Sequence, residues 1–257
     1  MPNVVLHREG AVASLRIDRA DKMNALDRAT LEELRGAVEE LARMPSPVVT
    51  ISSAGDRVFV AGADIEAMSK MGLEEARRFS ELGHATFDAL EALPSVVVAV
   101  VQGPALGGGC ELALACDLVL AGDRARFGQP ETNLGLIPGF GGCSRLLRRV
   151  GPALARELVY SGRLLAAEEA RAAGLVNRVV PQADLAAEAA AMAEAMAKRP
   201  PLALARAKTA LAAAESSDAR TAARVEIEAF AGLFALEDTR EGLQAFLGKR
   251  PPTFRGR

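Results

Sequence analysis

Apolar and polar residues alternate over residues 11–17, a period of two that predicts a half-buried strand. Over residues 30–41 the apolar positions recur every three to four residues instead, which predicts a helix with one buried stripe, and residues 48–51 are again β-rich. The order is a βαβ rhythm. Asp27 is placed to cap the helix, and Met44-Pro45-Ser46-Pro47 breaks the chain before the next strand. A turn around Gly55 and Asp56 leads into residues 59–65, whose small side chains permit a tight bend before helical spacing resumes over residues 73–93. After Pro94 the continuous apolar run at residues 96–101 predicts a strand buried on both faces, hence central in its sheet. A glycine-rich turn at residues 103–109 then enters a helix running from about Gly108 to Ala115, and residues 118–121 form the next strand candidate.

From Gly139 onward helical spacing dominates to about Phe246, with one strand-like stretch at residues 175–180. Leu185, Ala189, Met192 and Met196 define one helix face to be buried, and Val225, Phe230, Leu233 and Phe234 define another; such helices can cover their own domain or a neighbouring subunit. No internal repeat, low-complexity linker or charge block marks an independent second domain.

Composition narrows the function classes. The 257 residues are 50% hydrophobic and 25% charged, the balance of a soluble globular protein rather than a disordered or fibrous one. With a formal net charge of -2 and interspersed signs, no one-sided basic field invites nucleic acid. The longest apolar runs fall far short of the roughly 20 residues that span a bilayer, so no membrane anchor is expected. Cys110, Cys116 and Cys143 are an odd number without a secretory leader ahead of them, which predicts a reducing, cytoplasmic setting. His7 and His84 stand in no Cys/His spacing that reads as a metal site, so no metal is expected.

The segment Gln102-Gly103-Pro104-Ala105-Leu106-Gly107-Gly108-Gly109-Cys110-Glu111 lacks the Lys-Ser or Lys-Thr of a phosphate-cradling P-loop and the spacing of a dinucleotide fingerprint. Three glycines entering a helix serve either packing or a site. At a helix N-terminus the first N–H groups lack partners and can donate to an oxygen that gains negative charge. The bend Ala61-Gly62-Ala63-Asp64 offers a second such donor, and two donors converging on one carbonyl oxygen make an oxyanion hole. Two carboxylates accompany these bends. Glu111 lies among Cys110, Leu112, Ala113 and Leu114, a setting that reads as a buried helix, where a carboxylate needs a partner or a purpose. Glu131 follows the turn Gly128-Gln129-Pro130. Ser-His-Asp hydrolysis finds no suggestive histidine, no histidine is indicated beside Cys110 or Cys143, and Tyr160 reads as a residue for packing or a single hydrogen bond rather than acid/base work.

Five ordered blocks, residues 21–26, 59–65, 98–117, 127–142 and 241–250, together resemble the crotonase, or enoyl-CoA hydratase/isomerase, superfamily over nearly the whole chain. The resemblance implies an α/β fold, a crotonase-like spiral of ββα repeats over residues 1–195, with a C-terminal helical region over residues 196–257 for capping and subunit contacts. It implies an oxyanion hole from the N–H groups of Ala63 and Gly108 around a thioester carbonyl. Family members hydrate, isomerise, hydrolyse or dehalogenate, and the hydratase pattern has both a Glu two residues beyond the triple glycine's last member and the Glu that ends Gly-Gln-Pro-Glu; here these are Glu111 and Glu131. The implied reaction is syn addition of water to trans-2-enoyl-CoA, giving 3-hydroxyacyl-CoA as in fatty-acid β-oxidation, with Glu111 activating water and Glu131 supplying the proton at Cα. The same scaffold leaves an enoyl-CoA isomerase, a branched-chain acyl-CoA hydratase, or a non-catalytic acyl-CoA- or RNA-binding relative as alternatives. By position, CoA contacts fall on Lys22, Met23, Ala25, Ala61, Asp64, Ile65, Phe230 and Lys249. No cofactor is implied beyond the CoA of the substrate, and the implied assembly is a homotrimer or a dimer of trimers. One departure is Cys143-Ser144, where many relatives carry Thr-Gln.

Overall fold

The computed structural model describes residues 2–257. The elements run β1 (Val4–Glu9), β2 (Val12–Ile17), α1 (Arg28–Arg43), β3 (Val48–Ser53), α2 (Ile65–Met68), α3 (Leu73–Glu91), β4 (Val96–Val101), β5 (Ala105–Leu106) and α4 (Gly108–Leu114). Then follow β6 (Leu118–Gly122), β7 (Arg126–Gly128), α5 (Gly142–Ser161, broken at Gly151), β8 (Leu165–Ala166), α6 (Ala167–Ala172), β9 (Arg178–Val180), α7 (Leu185–Ala197), α8 (Pro201–Ser216), α9 (Ala219–Leu233) and α10 (Glu237–Leu247).

A six-stranded sheet has the order β1-β2-β3-β4-β6-β9, and a smaller sheet has β5-β7-β8. All pairs in the large sheet are parallel except the β1–β2 hairpin. Successive circuits of the chain each add one long strand to the large sheet and one short extended piece to a second stack. Val60 bridges Ala105, β5 pairs with β7, and β7 pairs with β8. The result is a spiral of strand, short strand and helix.

β4 occupies the centre, as its unbroken apolar run predicts, and parallel register aligns Leu15, Ile51, Ala99 and Val119 in one row. That row joins the main core with Leu31, Leu34 and Leu41 of α1 and Phe79, Phe87 and Leu90 of α3. Val48, Val98 and Leu120 face the other way and are covered by Leu185, Ala189 and Ala193 of α7, with Met192 and Met196 packed at the margin. Asp27 caps α1 through its carboxylate, which accepts from the Thr30 N–H at 2.8 Å.

Three expectations change. The edge strand β1 was not visible in the pattern: His7, Arg8 and Glu9 interrupt its apolar positions, as befits a strand with only one neighbour. Residues 103–109 are not only a turn, because Ala105 and Leu106 form a strand of the second stack. The proposed apolar face of α9 is not buried within its own chain. Phe230 is 64% exposed and Phe234 54%, with their rings packed on each other at 5.2 Å rather than into the body of the protein.

Candidate active site

The bend after β3 is held from below. Asn24 Nδ2 donates to the carbonyls of Ala54 and Val58 at 2.9 and 3.2 Å, and buried Gln102 Nε2 donates to Ser53 Oγ at 2.8 Å and to the Val58 carbonyl at 3.1 Å. The Leu26 N–H then donates to the Gly62 carbonyl at 2.8 Å and the Asp64 N–H to the Leu26 carbonyl at 2.9 Å. In this parallel bridge the neighbours of Ala63 carry the bonds, so the Ala63 N–H is left without a protein acceptor among the described residues. Asp64 accepts from the Ala67 N–H at 3.1 Å, and that bond, with Arg19 beside it, holds the carboxyl below its ordinary range.

Each member of the triple glycine makes room for a different partner. Gly107 adopts φ 49° and ψ -119°, and a Cβ there would lie 2.8 Å from Glu131 Oε1. A Cβ on Gly108 would lie 3.2 Å from the Phe140 ring and 3.4 Å from the Ala63 nitrogen. A Cβ on Gly109 would sit 2.1 Å from the Val60 carbonyl oxygen, so its absence is what lets α4 press against the bend. Packing and site are therefore one requirement here. Gly108 is the first residue of α4, whose N–H has no intrahelical acceptor, and it faces the Ala63 N–H across a short gap.

Glu111 points inward from the first turn of α4 and is 1% exposed. Its Oε1 accepts from the N–H groups of Phe140 and Gly142, both at 2.7 Å. No protein donor reaches Oε2 among the described residues. Burial pushes the Glu111 carboxyl up to about 7; the two N–H donors oppose the rise, the Glu131 charge adds to it, and the Arg145 charge reduces it. Glu131 sits half-buried in the short 3-10 turn Pro130–Leu134, and burial raises its carboxyl too. Gln129, fully buried, lies between Glu131 and Gly142. With its amide nitrogen toward Glu131 it donates to Oε1 at 3.0 Å, while its other side lies against Gly142, whose Cα neighbours the Glu111 side chain. Two carboxylates with raised affinity for protons thus lie close to one another and to two free N–H donors, an arrangement suited to moving protons beside a developing oxyanion.

The structure also brings together most of the predicted CoA contacts. The Ala61 N–H donates to the Met23 carbonyl at 3.2 Å, which joins the loop of Lys22, Met23 and Ala25 to the bend of Ala61, Asp64 and Ile65 on one surface. Met23 and Ile65 are each 57% exposed there, and Lys22 pairs with Glu66 at 3.4 Å. Phe230 and Lys249 stand apart: among the described residues neither makes a hydrogen bond, ion pair or ring contact with this surface.

Cys110 and Cys116 are buried, and burial raises both thiols far above their ordinary range. Tyr160 is 75% exposed, away from any packing role. Sequence reasoning missed Phe140 and Gly142 as donors to Glu111, and it missed Arg145. A signal for Arg145 exists, since it falls between Gly142 and Leu146 on the buried stripe of α5, where a cation is out of place.

Residues 7–257 match the family described as Enoyl-CoA hydratase/isomerase. The chain is 42% identical over 253 residues to a crotonyl-CoA hydratase of Syntrophomonas wolfei, covering 98% of this chain and 97% of that one. It is 41% identical over 249 residues to a short-chain-enoyl-CoA hydratase of Clostridium acetobutylicum, covering 96% and 95%. A crystal structure of an enoyl-CoA hydratase from Bacillus anthracis superposes with a TM-score of 0.96 at 37% identity, over 99% of this chain and all of that one.

Proposed function

We propose, because the chain belongs to the enoyl-CoA hydratase/isomerase family and is an enoyl-CoA hydratase, that Glu111 and Glu131 hold one water between them and that Ala63 and Gly108 take up the thioester oxygen. The observation that carries this reading is Glu111. A carboxylate this deeply buried, with Oε1 fixed by two N–H groups, leaves Oε2 as the acceptor for water. Its affinity for protons near neutrality suits a general base.

In this reading the trans-2-enoyl thioester carbonyl accepts from the Ala63 and Gly108 N–H groups, which draws electron density off the double bond. Glu111 takes a proton from water as its oxygen bonds to Cβ, the π electrons move to an enolate held by the two donors, and Glu131 delivers a proton to Cα. Water is added whole, and the carboxylates end with their proton exchanged, to be restored through the pair. Nothing beyond the substrate's own CoA takes part. The adenine and pantetheine run along Lys22, Met23, Ala25, Ala61, Asp64 and Ile65, with Phe230 and Lys249 contributed from the C-terminal region of a neighbouring subunit. The exposed apolar residues Phe230, Phe234, Leu243, Phe246 and Leu247 support assembly as a homotrimer or a dimer of trimers. A cytoplasmic setting fits the unpaired thiols of Cys110, Cys116 and Cys143. No helix among the described residues is long and apolar enough to cross a membrane.

Incubation with a short trans-2-enoyl-CoA tests the reading. Loss of the conjugated thioester absorbance with appearance of 3-hydroxyacyl-CoA is expected, and both are expected to fail in Glu111→Ala and Glu131→Gln. Undiminished hydration in either folded variant would remove that residue from the chemistry, and conversion of 3-enoyl substrates alone would replace hydration by isomerisation.

A further inference from the structure

The turn 139–142 presents its N–H groups to Glu111 only because its carbonyls are held from the other side. A trans peptide unit is planar, with C=O and N–H pointing opposite ways, so fixing one fixes the other. Ser80 Oγ on α3 donates to the Gly139 carbonyl at 2.6 Å, which turns the Phe140 N–H toward Glu111. The Arg145 N–H and Ser144 Oγ donate to the Gly141 carbonyl at 2.9 and 3.0 Å, which turns the Gly142 N–H the same way. Between them, Arg145 Nη1 donates to the Phe140 carbonyl at 2.8 Å.

Arg145 is itself immobilised. Its side chain is 3% exposed, its Nε donates to Glu91 Oε2 at 3.1 Å, and its Nη2 pairs with Asp88 and with Glu91 at 3.0 Å. The Phe140 ring is gripped as well, edge-on to Phe79 at 5.1 Å and to Phe87 at 5.8 Å. It lies so close to Gly83 that a Cβ there would fall 2.1 Å from the ring. One buried cation, tied to two carboxylates on α3, thus fastens a turn that carries both donors to the candidate base.

We propose that Arg145 and Ser80 are positioning residues for the hydration: Ser80, on the Gly139 carbonyl, aims the Phe140 N–H at Glu111 Oε1, and the Arg145 guanidinium, on the Phe140 carbonyl, fixes the peptide between the two donors and with it the turn that presents the Phe140 and Gly142 N–H groups, leaving Oε2 for water. This rests on the reading of Glu111 as the base. Two consequences follow for its protonation. Misaimed donors stabilise the carboxylate less, and loss of the guanidinium removes a charge that lowers its affinity for protons. Both raise that affinity, so the acidic limb of the rate profile moves to higher pH. The other titratable groups facing Glu111 are Glu131 across the pocket, Cys110 on α4 and Cys143 on α5. Those facing Arg145 and its turn are Asp88, Glu91 and His84 on α3, with Arg148 on α5 paired to Glu91.

The experiment measures kcat, KM and their pH dependence, with melting temperature alongside, for Ser80→Ala, Arg145→Gln and Arg145→Lys. Ser80→Ala is expected to lower kcat up to about tenfold, the upper end of what one neutral hydrogen bond is worth, with KM unchanged and the acidic limb moved upward. Arg145→Gln lowers kcat further and moves the limb further. Arg145→Lys restores the limb only in part, by returning the charge, and does not restore kcat, because an ammonium lacks the planar fork that reaches Phe140, Asp88 and Glu91 together. Melting temperatures that fall while kcat per folded molecule and the acidic limb stay at wild-type values would overturn the proposal. If Arg145→Gln does not fold, Ser80→Ala decides by the same two readouts. A Glu111→Gln variant run in parallel separates the cases: if it retains hydration the base assignment fails, whereas if it is inactive and the limb is unmoved in the others only the positioning roles fail.

Discussion

The pocket around Glu111 and the C-terminal helices α8 to α10 are built on opposite terms. Around Glu111 every position is committed: Gly109 is pressed on Val60, Phe140 is wedged under Gly83, and carbonyls of the turn are held so that its N–H groups point inward. α8 contains no fully buried residue, α9 buries only Ala229, and α10 only Asp238 and Ala245. α8 is pinned to the body chiefly through Lys208, which donates to Asp117 Oδ2 at 2.8 Å and to the Ser95 carbonyl at 3.0 Å. The first region carries its specification inside one chain. The second leaves large aromatic residues in solvent, so its determinants lie outside the single chain; in the function proposed above these are a CoA ester and other copies of the chain. Substitutions in the first should damage chemistry and stability at once, and substitutions in the second should leave the isolated fold nearly untouched.

The largest break is chemical. Glu111→Gln keeps the shape and the acceptor for Phe140 and Gly142 while removing the base, and turnover is expected to fall about 1,000-fold, within the range for a lost general base, measured as hydration of a short trans-2-enoyl-CoA. The same substitution should make the protein more stable at high pH. Burial raises the Glu111 carboxyl from its ordinary value near 4.5 to about 7 in the folded protein. A group raised in this way favours folding fully below pH 4.5 and loses that contribution as pH climbs through 7. The loss amounts to about 3 kcal/mol at 1.36 kcal/mol per unit. Urea unfolding at pH 5 and pH 8 should therefore show a fall for the wild type that Glu111→Gln largely lacks. Equal falls in both would show that Glu111 is not the source.

Gly109→Ala tests how tightly the pocket is specified. The added methyl meets the Val60 carbonyl oxygen at 2.1 Å, and neither the bend nor α4 is free to retreat. A loss of about 2 kcal/mol is expected from overpacking, measured by urea unfolding at neutral pH. Turnover should fall with it, because moving α4 separates the Gly108 and Ala63 donors. The equivalent change on the second region, Gly232→Ala on α9, meets nothing within 4 Å and should leave stability unchanged or slightly raised by helix propensity.

This contrast also explains what could be read in advance. The central strand, the α1 cap, the buried helix of Glu111 and the bend at residues 61–64 follow from local pattern, because a period of two, a capping Asp or an apolar run around a Glu is written within a few residues. Family resemblance added the pairing of Glu111 with Glu131 and of Ala63 with Gly108, whose separations along the chain no local pattern could close. Neither route found Phe140 and Gly142, because they act through backbone N–H groups that every residue but proline possesses. Ser80 was equally silent: a serine on a helix shows its purpose only when a carbonyl from residue 139 arrives beside it. The apolar spacing of α9 marks it as amphipathic, and its own chain does not cover that face, because periodicity reports that a face must be covered and not what covers it.

The smallest expected effect falls on that uncovered face. Phe230 is 64% exposed and touches Phe234 in an edge contact, so Phe230→Ala removes little buried area from the single chain. Its unfolding free energy should stay within about 0.5 kcal/mol of wild type, the ordinary range for surface positions. If Phe230 lies along the CoA portion of the substrate, binding energy is lost equally from the bound substrate and from the transition state. KM for the enoyl-CoA then rises about threefold with kcat unchanged, the signature of uniform binding. Raising substrate well above KM should restore the full rate, which separates this variant from Gly109→Ala, whose loss persists at saturation. A fall in kcat with KM constant would instead tie Phe230 to the geometry around Glu111, and the division between a self-specified pocket and a partner-specified periphery would have to be redrawn.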